Sequence, residues 1–442
     1  MSGVPTKPFV ISNRLVLGIS VPLTLAYIST PLLGLVDTAV VGQFGTPALI
    51  GGLAVGAVII DLVFATFNFL RGGTSALAAQ AYGAGDESEK QAALYRALAI
   101  ALSSGLVMLL ASPLLLWLGL WFMAPPPATA EATRTYFLIR MLSAPFALAN
   151  FVMLGWILGL GRSGLTLVLQ LLLNGTNITL SLYLGLWLEW NIEGVAMATV
   201  IGEMVAFAVC LVMCWRLLDH AVRPPMAEIL KRQAWFRLMN LNADIMVRSF
   251  VLLIAFAYFT AQGAAFGEVT LAANAVLMHL FFLGAYFLDG LATAAEQICG
   301  RSVGANYRAG FWKGFRLTLF WNLILAGIAT IIFAISGPWL INLLSTNEAV
   351  RETANAYLWW ATLIPLISVL AFHMDGVFIG ATWSRDMSIM MIVSLVIYGL
   401  VLMVVKAPLG NHGLWLAIYV FLLFRGITLL FRLRPNVRKT FG

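Results

Sequence analysis

The sequence predicts an all-α integral membrane protein in which twelve transmembrane helices form two pseudo-symmetric six-helix lobes around a central cleft. Composition is the first reason, because 61% of the 442 residues are hydrophobic and only 10% are charged, too few polar groups to cover a soluble core. The second reason is length: apolar runs of about 20 residues, enough to cross a bilayer, recur twelve times from Ile11 onward. The third is an internal repeat, which divides the runs into two sets of six.

The basic residues predict the orientation of the spans. Most of the 26 Lys and Arg residues lie at the termini and in the loops after even-numbered spans, most densely at residues 216–237 and 301–316. Cytoplasmic loops are rich in Lys and Arg, so we expect both termini in the cytoplasm. The first run is longer than the apolar part of a secretory signal and is interpreted as a retained span. The net charge of +7 suits anionic lipid headgroups and requires no nucleic acid.

The chain repeats itself at an offset of 221 or 222 residues. Four residues recur at the offset of 221 (376 − 155 = 221): Tyr136, Gly155, Gly159 and Ser163 match Tyr357, Gly376, Gly380 and Ser384. Nearer the N-terminus, Phe44 matches Phe266 at an offset of 222. A duplication of six spans is therefore predicted.

The duplication predicts the domain organisation. The N-terminal lobe is expected over residues 1–217, a cytoplasmic linker over 218–234 and the C-terminal lobe over 235–442. Because six is even, both lobes enter the membrane from the same side. Two parallel lobes with a cleft between them favour a rocking transporter over a channel.

Asp37 lies within the first apolar run, where an ionised carboxylate costs about 2.5–3.5 kcal/mol on insertion scales. Burial favours the protonated form of a carboxyl group, so this residue is a candidate for proton coupling. Pro22 and Pro31 lie in the same run, and each weakens a helix by removing a hydrogen bond. A bend that depends on the charge of Asp37 is one interpretation. The alternative is a structural carboxylate held by a hydroxyl such as that of Ser29 or Thr38.

A second polar group lies in the fifth and sixth runs, where Asn174, Asn177, Ser181 and Thr199 stand among leucine and isoleucine. Asn177 and Ser181 are four residues apart and share one face of a helix. They are expected to reach Asp37 within the N-terminal lobe. Ordinary hydrogen bonding between helices is the alternative interpretation.

The C-terminal lobe carries several charged residues at membrane depth: Asp244, Arg248, Asp289, Glu296, Asp375 and Arg425. Asp244 and Arg248 are four residues apart on one helix, so they are expected to neutralise each other. For the other acids two interpretations stay open. They line a cavity for a cation or a cationic substrate, or Asp289 and Asp375 pair with Arg248 or Arg425.

No set of residues has the spacing of a catalytic or metal site. The three cysteines lie in apolar runs and are interpreted as packing residues, and the four histidines are scattered. Neither group matches the ligands of zinc or the members of a hydrolytic triad. We therefore expect no enzyme activity, no metal and no cofactor.

Several motifs resemble one transporter family. They are PLLGLVDTAVVGQFG in the first run, RGGTSALAAQAYGAGD after the second, NGTNITLSLYLGL and EGVAMAT in the fifth and sixth, and LDGLATAAEQICG and MDGVFIGAT in the second half. Together they are similar to the multidrug and toxic compound extrusion (MATE) transporters, and most similar to the DinF branch, over essentially the whole chain. The resemblance implies two six-helix lobes, a V-shaped central cavity, and drug export driven by entry of H⁺ or Na⁺.

The resemblance also implies residue roles. Asp37 matches the aspartate that the branch is thought to protonate, and Pro22 matches the proline at which that helix bends. Asn177 and Thr199 match polar partners in the fifth and sixth helices.

One position departs from the family pattern. Where that pattern reads NxxNxxLD, this chain reads NGTNITLS, so Ser181 replaces a second carboxylate. Unless Asp61 or Glu203 points inward, a single acid remains in the N-terminal pocket. The departure weakens a two-carboxylate Na⁺ site and is compatible with a proton on Asp37. Alternatively, the loss of a neighbouring negative charge favours the ionised form of Asp37 and shifts the pH range of coupling downward.

The sequence therefore predicts a monomeric, proton-coupled antiporter of the bacterial inner membrane, surrounded by lipid, that exports amphipathic, cationic small molecules. Asp289 and Asp375 fall at acidic positions that the family associates with cation or substrate handling. Two alternatives stay open: coupling to Na⁺, and a flippase for a lipid-linked or lipid-like substrate, which would call for a more cationic cavity.

Overall fold

The computed structural model describes residues 7–44 and 46–442, and every regular element in these residues is helical. The helices are α1 (Asn13–Gly42), α2 (Pro47–Ala65), α3 (Phe69–Ala84), α4 (Glu87–Leu110), α5 (Ser112–Met123), α6 (Pro127–Met141), α7 (Ala144–Gly159), α8 (Ser163–Leu180), α9 (Asn191–Leu217), α10 (Met226–Ile229), α11 (Arg232–Ala264), α12 (Glu268–Gly304), α13 (Arg308–Leu344), α14 (Glu348–Gly380) and α15 (Ser384–Phe441). A π-helical turn, Ser181–Trp187, continues α8.

Ten helical segments of the described chain are long and apolar enough to cross a membrane. The pair α6 and α7, bent by 52° at the break between them, adds an eleventh if the two form one span. The 58-residue α15 is two helices joined at a kink at Gly410, where φ is 55° and ψ is −131°. If the bent pair is counted as one span and the two parts of α15 as two, the described residues contain as many spans as the sequence predicts, twelve. The all-helical membrane architecture is confirmed.

The helices group into two compact units. The first unit is Leu25–Asn242, and the second unit is Ala243–Gly442 together with the described residues up to Thr24. The boundaries fall inside α1 and α11, so each of these two helices contributes to both units. The lobe limits at residues 217 and 235 stay a prediction.

Glycines bring a pair of helices into close contact in the same way within each unit. A Cβ added at either glycine of α7 would lie 2.4 or 2.5 Å from a carbonyl oxygen of α3, and a Cβ at either glycine of α14 would lie 2.0 Å from one of α12. The four contacts are Gly155 with Arg71, Gly159 with Ser75, Gly376 with Ala292 and Gly380 with Glu296. Both members of each contact recur at the offset of 221 (292 − 71 = 221), which confirms the internal repeat.

The repeat continues into α9 and into the second part of α15 with a shorter offset. Gly194 of α9 lies against the carbonyl group of Leu184, and Gly413 of α15 lies against that of Val405. Leu184 and Val405 keep the offset of 221, whereas the two glycines are 219 residues apart (413 − 194 = 219). Counterpart positions in the two units are therefore related by 221 as far as Leu184 and by 219 from Gly194 onward. In α1 and α11 the offset is 222, the distance between the last residues of the two helices (264 − 42 = 222).

Each unit has its own apolar core. In the first unit Phe137 of α6 and Val195 of α9 belong to one buried cluster. In the second unit Phe259 of α11 and both Tyr398 and Ile418 of α15 belong to another. Because lipid tails are as apolar as these side chains, helices in a bilayer associate mainly through close packing and hydrogen bonds.

Candidate functional site

Asp37 and Ser181 form the central contact of a buried polar cluster in the first unit. The Ser181 hydroxyl donates a hydrogen bond of 2.9 Å to Oδ1 of Asp37, and Asp37 is 8% exposed. Asp37 lies near the end of α1, and Ser181 begins the π-helical turn. The serine that replaces a second acid is therefore the direct partner of Asp37.

The π-helical turn, Ser181–Trp187, packs closely on α1. A Cβ added at Gly185 would lie 2.6 Å from Cγ1 of Val40, one turn of α1 beyond Asp37. π-helical turns are rare in proteins, and those that occur are often found at functional sites. The glycine thus allows the widened turn to approach the part of α1 that carries the carboxylate.

Two asparagines of α8 continue the cluster. Oδ1 of Asn177 lies 3.4 Å from the Ser181 hydroxyl, and its buried Nδ2 has no hydrogen-bond partner among the described residues. One turn earlier, Asn174 donates a hydrogen bond of 2.8 Å to Ser29 of α1 and accepts one of 3.1 Å from Gln170. α8 therefore presents a row of polar groups to α1.

The other predicted hydroxyl partners make bonds within their own helices. Thr199 donates to a backbone carbonyl of α9 at 3.2 Å. Ser29 and Thr38 each donate to a backbone carbonyl of α1 at 2.7 Å. Neither Ser29 nor Thr38 therefore holds Asp37, because the hydroxyl proton of each is already donated along α1. A different hydroxyl, that of Ser181, bonds to Asp37, so a structural role for this carboxylate stays open.

The two remaining acids named for this pocket do not join Asp37. Oε2 of Glu203 accepts a hydrogen bond of 2.7 Å from Asn150 of α7. Asp61 is exposed on α2 and makes no hydrogen bond within the described part of the chain. In that part of the chain, Asp37 is the one carboxylate of the polar cluster.

Arg140 of α6 is a charged residue near these acids that the sequence analysis did not single out. Its Nη1 donates a hydrogen bond of 2.9 Å to Ser143, at the 52° break between α6 and α7. Its charge acts on Asp37, Asp61 and Glu203 alike. An arginine at membrane depth is the signal that could have pointed to this counter-charge.

α1 is helical throughout Asn13–Gly42, including Pro22 and Pro31. The boundary between the two compact units falls after Thr24, two residues beyond Pro22. A proline removes a helical hydrogen bond, so the place where α1 passes from one unit to the other is also a place where the helix is weak. A bend at either proline stays a prediction.

Asp375 lies between two arginines in the second unit. Its Oδ2 accepts a hydrogen bond of 2.7 Å from Nη1 of Arg248 on α11 and another from Nη2 of Arg425 on α15. The side chain of Arg425 is 3% exposed and that of Arg248 is 17% exposed. Of the two interpretations of Asp375, pairing with arginine describes this geometry. Two positive charges face one negative charge, the reverse of what a cation site needs.

Asp244 does not neutralise Arg248, so that expectation is wrong. The Asp244 carboxylate accepts hydrogen bonds of 2.7 Å from Ser384 and 3.4 Å from Ser388. Arg248 instead pairs with Asp375, the more buried carboxylate, where an unpaired charge would be more costly.

Asp289 and Glu296 both lie on α12, half-buried and buried respectively. Gly290, next to Asp289, lies against Thr24 of α1, since an added Cβ would be 2.0 Å from the Thr24 hydroxyl oxygen. The glycine of the LDG motif therefore serves helix packing. The roles of Asp289 and Glu296 in cation or substrate handling stay predictions.

Comparison with known families agrees with the repeat and with the motifs. The MatE family pattern matches residues 22–183 and again residues 245–405. Together the two matches cover more than half of the chain. They begin 223 residues apart (245 − 22 = 223), close to the offset of the repeat.

Two bacterial relatives extend this match over nearly the whole chain. DNA damage-inducible protein F of Escherichia coli strain K12 is 37% identical over 422 residues, covering 95% of this chain and 91% of that protein. The probable multidrug resistance protein NorM of Chromobacterium violaceum is 23% identical, covering 96% and 94%. The predicted resemblance to the DinF branch is confirmed.

Solved structures share the fold. The Vibrio cholerae MATE transporter VcmN in its bent form matches with a TM-score of 0.88 and 18% identity over 97% of each chain. The outward-facing conformation of a multidrug resistance MATE family transporter matches with a TM-score of 0.85 and 17% identity over 97% and 96%. At these identities the likeness shows the fold alone. Motifs, repeat, sequence relatives and fold agree that this chain is a multi-pass membrane protein of the MatE family, a family of multidrug and toxic compound antiporters and not of enzymes.

Proposed function

We propose that this antiporter couples the export of amphipathic small molecules to the entry of H⁺, and that Asp37 takes up and releases the proton. The buried contact between Asp37 and Ser181 carries the proposal. Within the described polar cluster a single carboxylate faces a neutral hydroxyl. The charge of this carboxylate changes by one unit when it binds one proton, and a change of charge of this kind can couple proton entry to substrate export.

Protonation changes what the cluster can bond. A carboxylate only accepts hydrogen bonds, whereas a carboxylic acid also donates one. Ser181 now donates to Asp37, and its own oxygen and Oδ1 of Asn177 are the nearby acceptors. A proton on Asp37 therefore reverses the direction of bonding between α1 and the start of the π-helical turn.

The prolines of α1 would convert this local change into movement. In the outward-open state Asp37 takes a proton, α1 bends at Pro22 or Pro31, the pocket of the first unit shrinks and the substrate leaves. Release of the proton to the cytoplasm restores affinity for substrate. By linkage, proton and substrate disfavour each other by the same coupling free energy.

Coupling to Na⁺ has less support. A hard cation is bound by several oxygen ligands, carboxylates above all. Ser181 supplies a hydroxyl in place of the second carboxylate, and Glu203 is bonded to Asn150. Asp37 would then be the one charged ligand of Na⁺ in the described cluster, and every other ligand would be a neutral oxygen.

Buried charges in the two units favour substrates of opposite charge. A cationic substrate suits Asp37, but Asp375 offers it little, since two guanidinium groups already hold that carboxylate. The same two arginines favour a second candidate function, a flippase for a lipid-like substrate, because an anionic headgroup requires cations.

The test is efflux of a fluorescent cationic dye from proteoliposomes under an H⁺ gradient or a Na⁺ gradient, imposed separately. The wild type is expected to use the H⁺ gradient, and Asp37→Asn to lose that efflux while it still binds dye. Asp61→Asn is the matched control, because it removes an exposed acid of the same unit and should keep efflux. Na⁺-driven efflux, or H⁺-driven efflux that survives Asp37→Asn, would contradict the proposal.

We also propose that the protein is a monomer of the bacterial inner membrane with both termini in the cytoplasm, on the strength of the basic loops. A reporter enzyme that is active only in the cytoplasm, fused after Gly442, should be active. A reporter that is active only in the periplasm should be silent at the same position. The reverse pattern would contradict the orientation.

A further inference from the structure

We propose that Arg248, Asp375 and Arg425 form a binding site in the second unit for an anionic oxygen group, a carboxylate or a phosphate, of the transported molecule. The proposal rests on the transport function proposed above, and it assigns to the second unit one chemical group of the substrate.

The geometry of the three residues leaves bonding capacity unused. Both arginines donate to the same oxygen, Oδ2 of Asp375. Among the described residues, Oδ1 of Asp375 and Nε of each arginine are buried without a hydrogen-bond partner. Buried polar atoms are nearly always bonded, and a guanidinium group is shaped to bind a carboxylate or phosphate through two parallel hydrogen bonds.

The charge of the site is unbalanced. Within the described chain, Asp375 is the one carboxylate in salt-bridge distance of either Arg248 or Arg425. One positive charge is therefore left over at membrane depth, where an unpaired ion is costly. A bound anion would balance the site.

Arg248 is the accessible member of the group. Its side chain is 17% exposed, whereas Arg425 is nearly enclosed. Ionisable side chains within membrane spans face the protein interior or a water-filled cavity rather than lipid. The ring of Phe372, with its centroid 5.5 Å from the guanidinium carbon of Arg425, places an apolar surface beside the charge, as an amphipathic ligand requires.

The internal repeat shows that the fold does not need these charges. At the counterpart positions the first unit has buried apolar residues: Ala26 for Arg248, Leu154 for Asp375 and Ala206 for Arg425. The same helices therefore pack without an ion pair in the first unit. A purely structural role would leave this difference unexplained, whereas a ligand bound by one unit accounts for it.

The test compares two dyes that differ in one carboxylate. Rhodamine B carries a free carboxylate, and rhodamine B ethyl ester carries the same cationic ring system with that group esterified. Binding to the full-length protein in phosphatidylcholine nanodiscs is measured by fluorescence anisotropy, with no ion gradient. We expect the wild type to bind rhodamine B at least about tenfold more tightly, as one charge-assisted contact implies.

Arg248→Gln should abolish this preference and leave a balanced pair of Arg425 and Asp375, so the variant is expected to fold. Asp375→Asn removes the internal competitor for both arginines and should increase the preference. The matched control is Arg432→Gln, which breaks an exposed arginine–aspartate pair on α15 and should leave the preference unchanged.

Competition identifies the source of the anion. If dihexanoyl phosphatidic acid displaces rhodamine B from the wild type but not from Arg248→Gln, the site takes a lipid phosphate. If inorganic phosphate displaces the dye equally well, free phosphate is sufficient. If decanoate alone displaces it, the ligand is an amphipathic carboxylate.

Equal affinity of the wild type for the two dyes would overturn the proposal, as would a preference that survives Arg248→Gln. These outcomes are independent of proton coupling, since Asp37→Asn should lose proton-driven efflux and keep the dye preference. Failure of the anion site and failure of the proposed function are therefore distinguishable.

Discussion

The two units share helix contacts but carry their buried polar groups in different places. In the first unit the polar cluster includes Asp37, Asn177 and Ser181. The counterpart residues of the second unit are Phe259, Tyr398 and Leu402, all members of its apolar core. The reverse holds for the charged group of the second unit, whose counterparts in the first unit are alanine and leucine.

This comparison distinguishes the helix packing that both units share from the buried polar groups that only one unit carries. The glycine contacts between α3 and α7 recur between α12 and α14, so close backbone packing belongs to the duplicated scaffold. Neither buried polar site recurs. Polar groups that only one copy carries are not required by the shared helix packing, and this is the reason we propose a transport role for each of them.

The largest expected effect tests the charged group of the second unit. Asp375→Leu, which introduces the residue of the first unit, should lower the free energy of unfolding by about 3–5 kcal/mol, because two guanidinium groups are left buried without a counter-charge. Replacing all three residues together, Arg248→Ala with Asp375→Leu and Arg425→Ala, should restore stability to the wild-type value or above. Thermal unfolding in one detergent measures both.

A triple variant less stable than Asp375→Leu alone would contradict the comparison, since it would show that the charges hold the helices together. Leu154→Ile is a suitable control, because it changes the counterpart position without changing charge or volume.

The glycine contacts should give the next largest effect, in both units. Gly376→Ala and Gly155→Ala each place a methyl group 2.0 or 2.4 Å from a carbonyl oxygen of the facing helix, and overpacking of this kind costs about 1–3 kcal/mol or more. Gly175→Ala is the control, since nothing lies within 4 Å of its added Cβ. Equal melting temperatures for all three variants would mean that the shared scaffold does not depend on these contacts.

The fold was largely predictable because it follows from composition and repetition. The number of long apolar runs predicts the number of spans, and matched residues such as Gly155 and Gly376 indicate the duplication. The sequence left the partner of Arg248 open, because both Asp244, four residues away, and Asp375 were candidates. In the structure Arg248 bonds to Asp375, and Asp244 accepts hydrogen bonds from serines of α15 instead.

The polar cluster of the first unit was predictable in part. Asn177 and Ser181 were expected near Asp37 because they share a helix face, and the structure brings all three together. The π-helical turn that begins at Ser181 has no signature in residue type; its Gly185 lies against Val40 of α1, a contact between distant parts of the sequence. Thr199 was matched by resemblance, yet its hydroxyl bonds within α9.

Two conservative substitutions test the distinction between Ser181, which bonds to Asp37, and Thr199, which does not. Ser181→Ala removes the one side-chain hydrogen bond to Asp37 among the described residues. Loss of a bond to an ionisable group, about 1.5 kcal/mol, should slow proton-driven efflux about tenfold. Thr199→Val keeps the shape of the side chain and removes a hydroxyl that does not reach Asp37, so efflux should change less than twofold. Initial rates in proteoliposomes compare the two. A larger effect of Thr199→Val would place Thr199 rather than Ser181 at the coupling site.

The smallest expected effect concerns a second charged pair that only the second unit carries. Arg432 and Asp386 are bonded at 2.7 Å, and their counterparts are Met213 and Leu165. Unlike Arg425, Arg432 is half exposed, and exposed ion pairs contribute about 0–1 kcal/mol. Arg432→Met should therefore shift the melting temperature slightly, and the shift should vanish at high salt, because salt screens exposed charges. A shift as large as that of Asp375→Leu would mean that exposed charge differences between the units affect stability as much as buried ones. A small shift would mean that only the buried charge differences affect stability strongly.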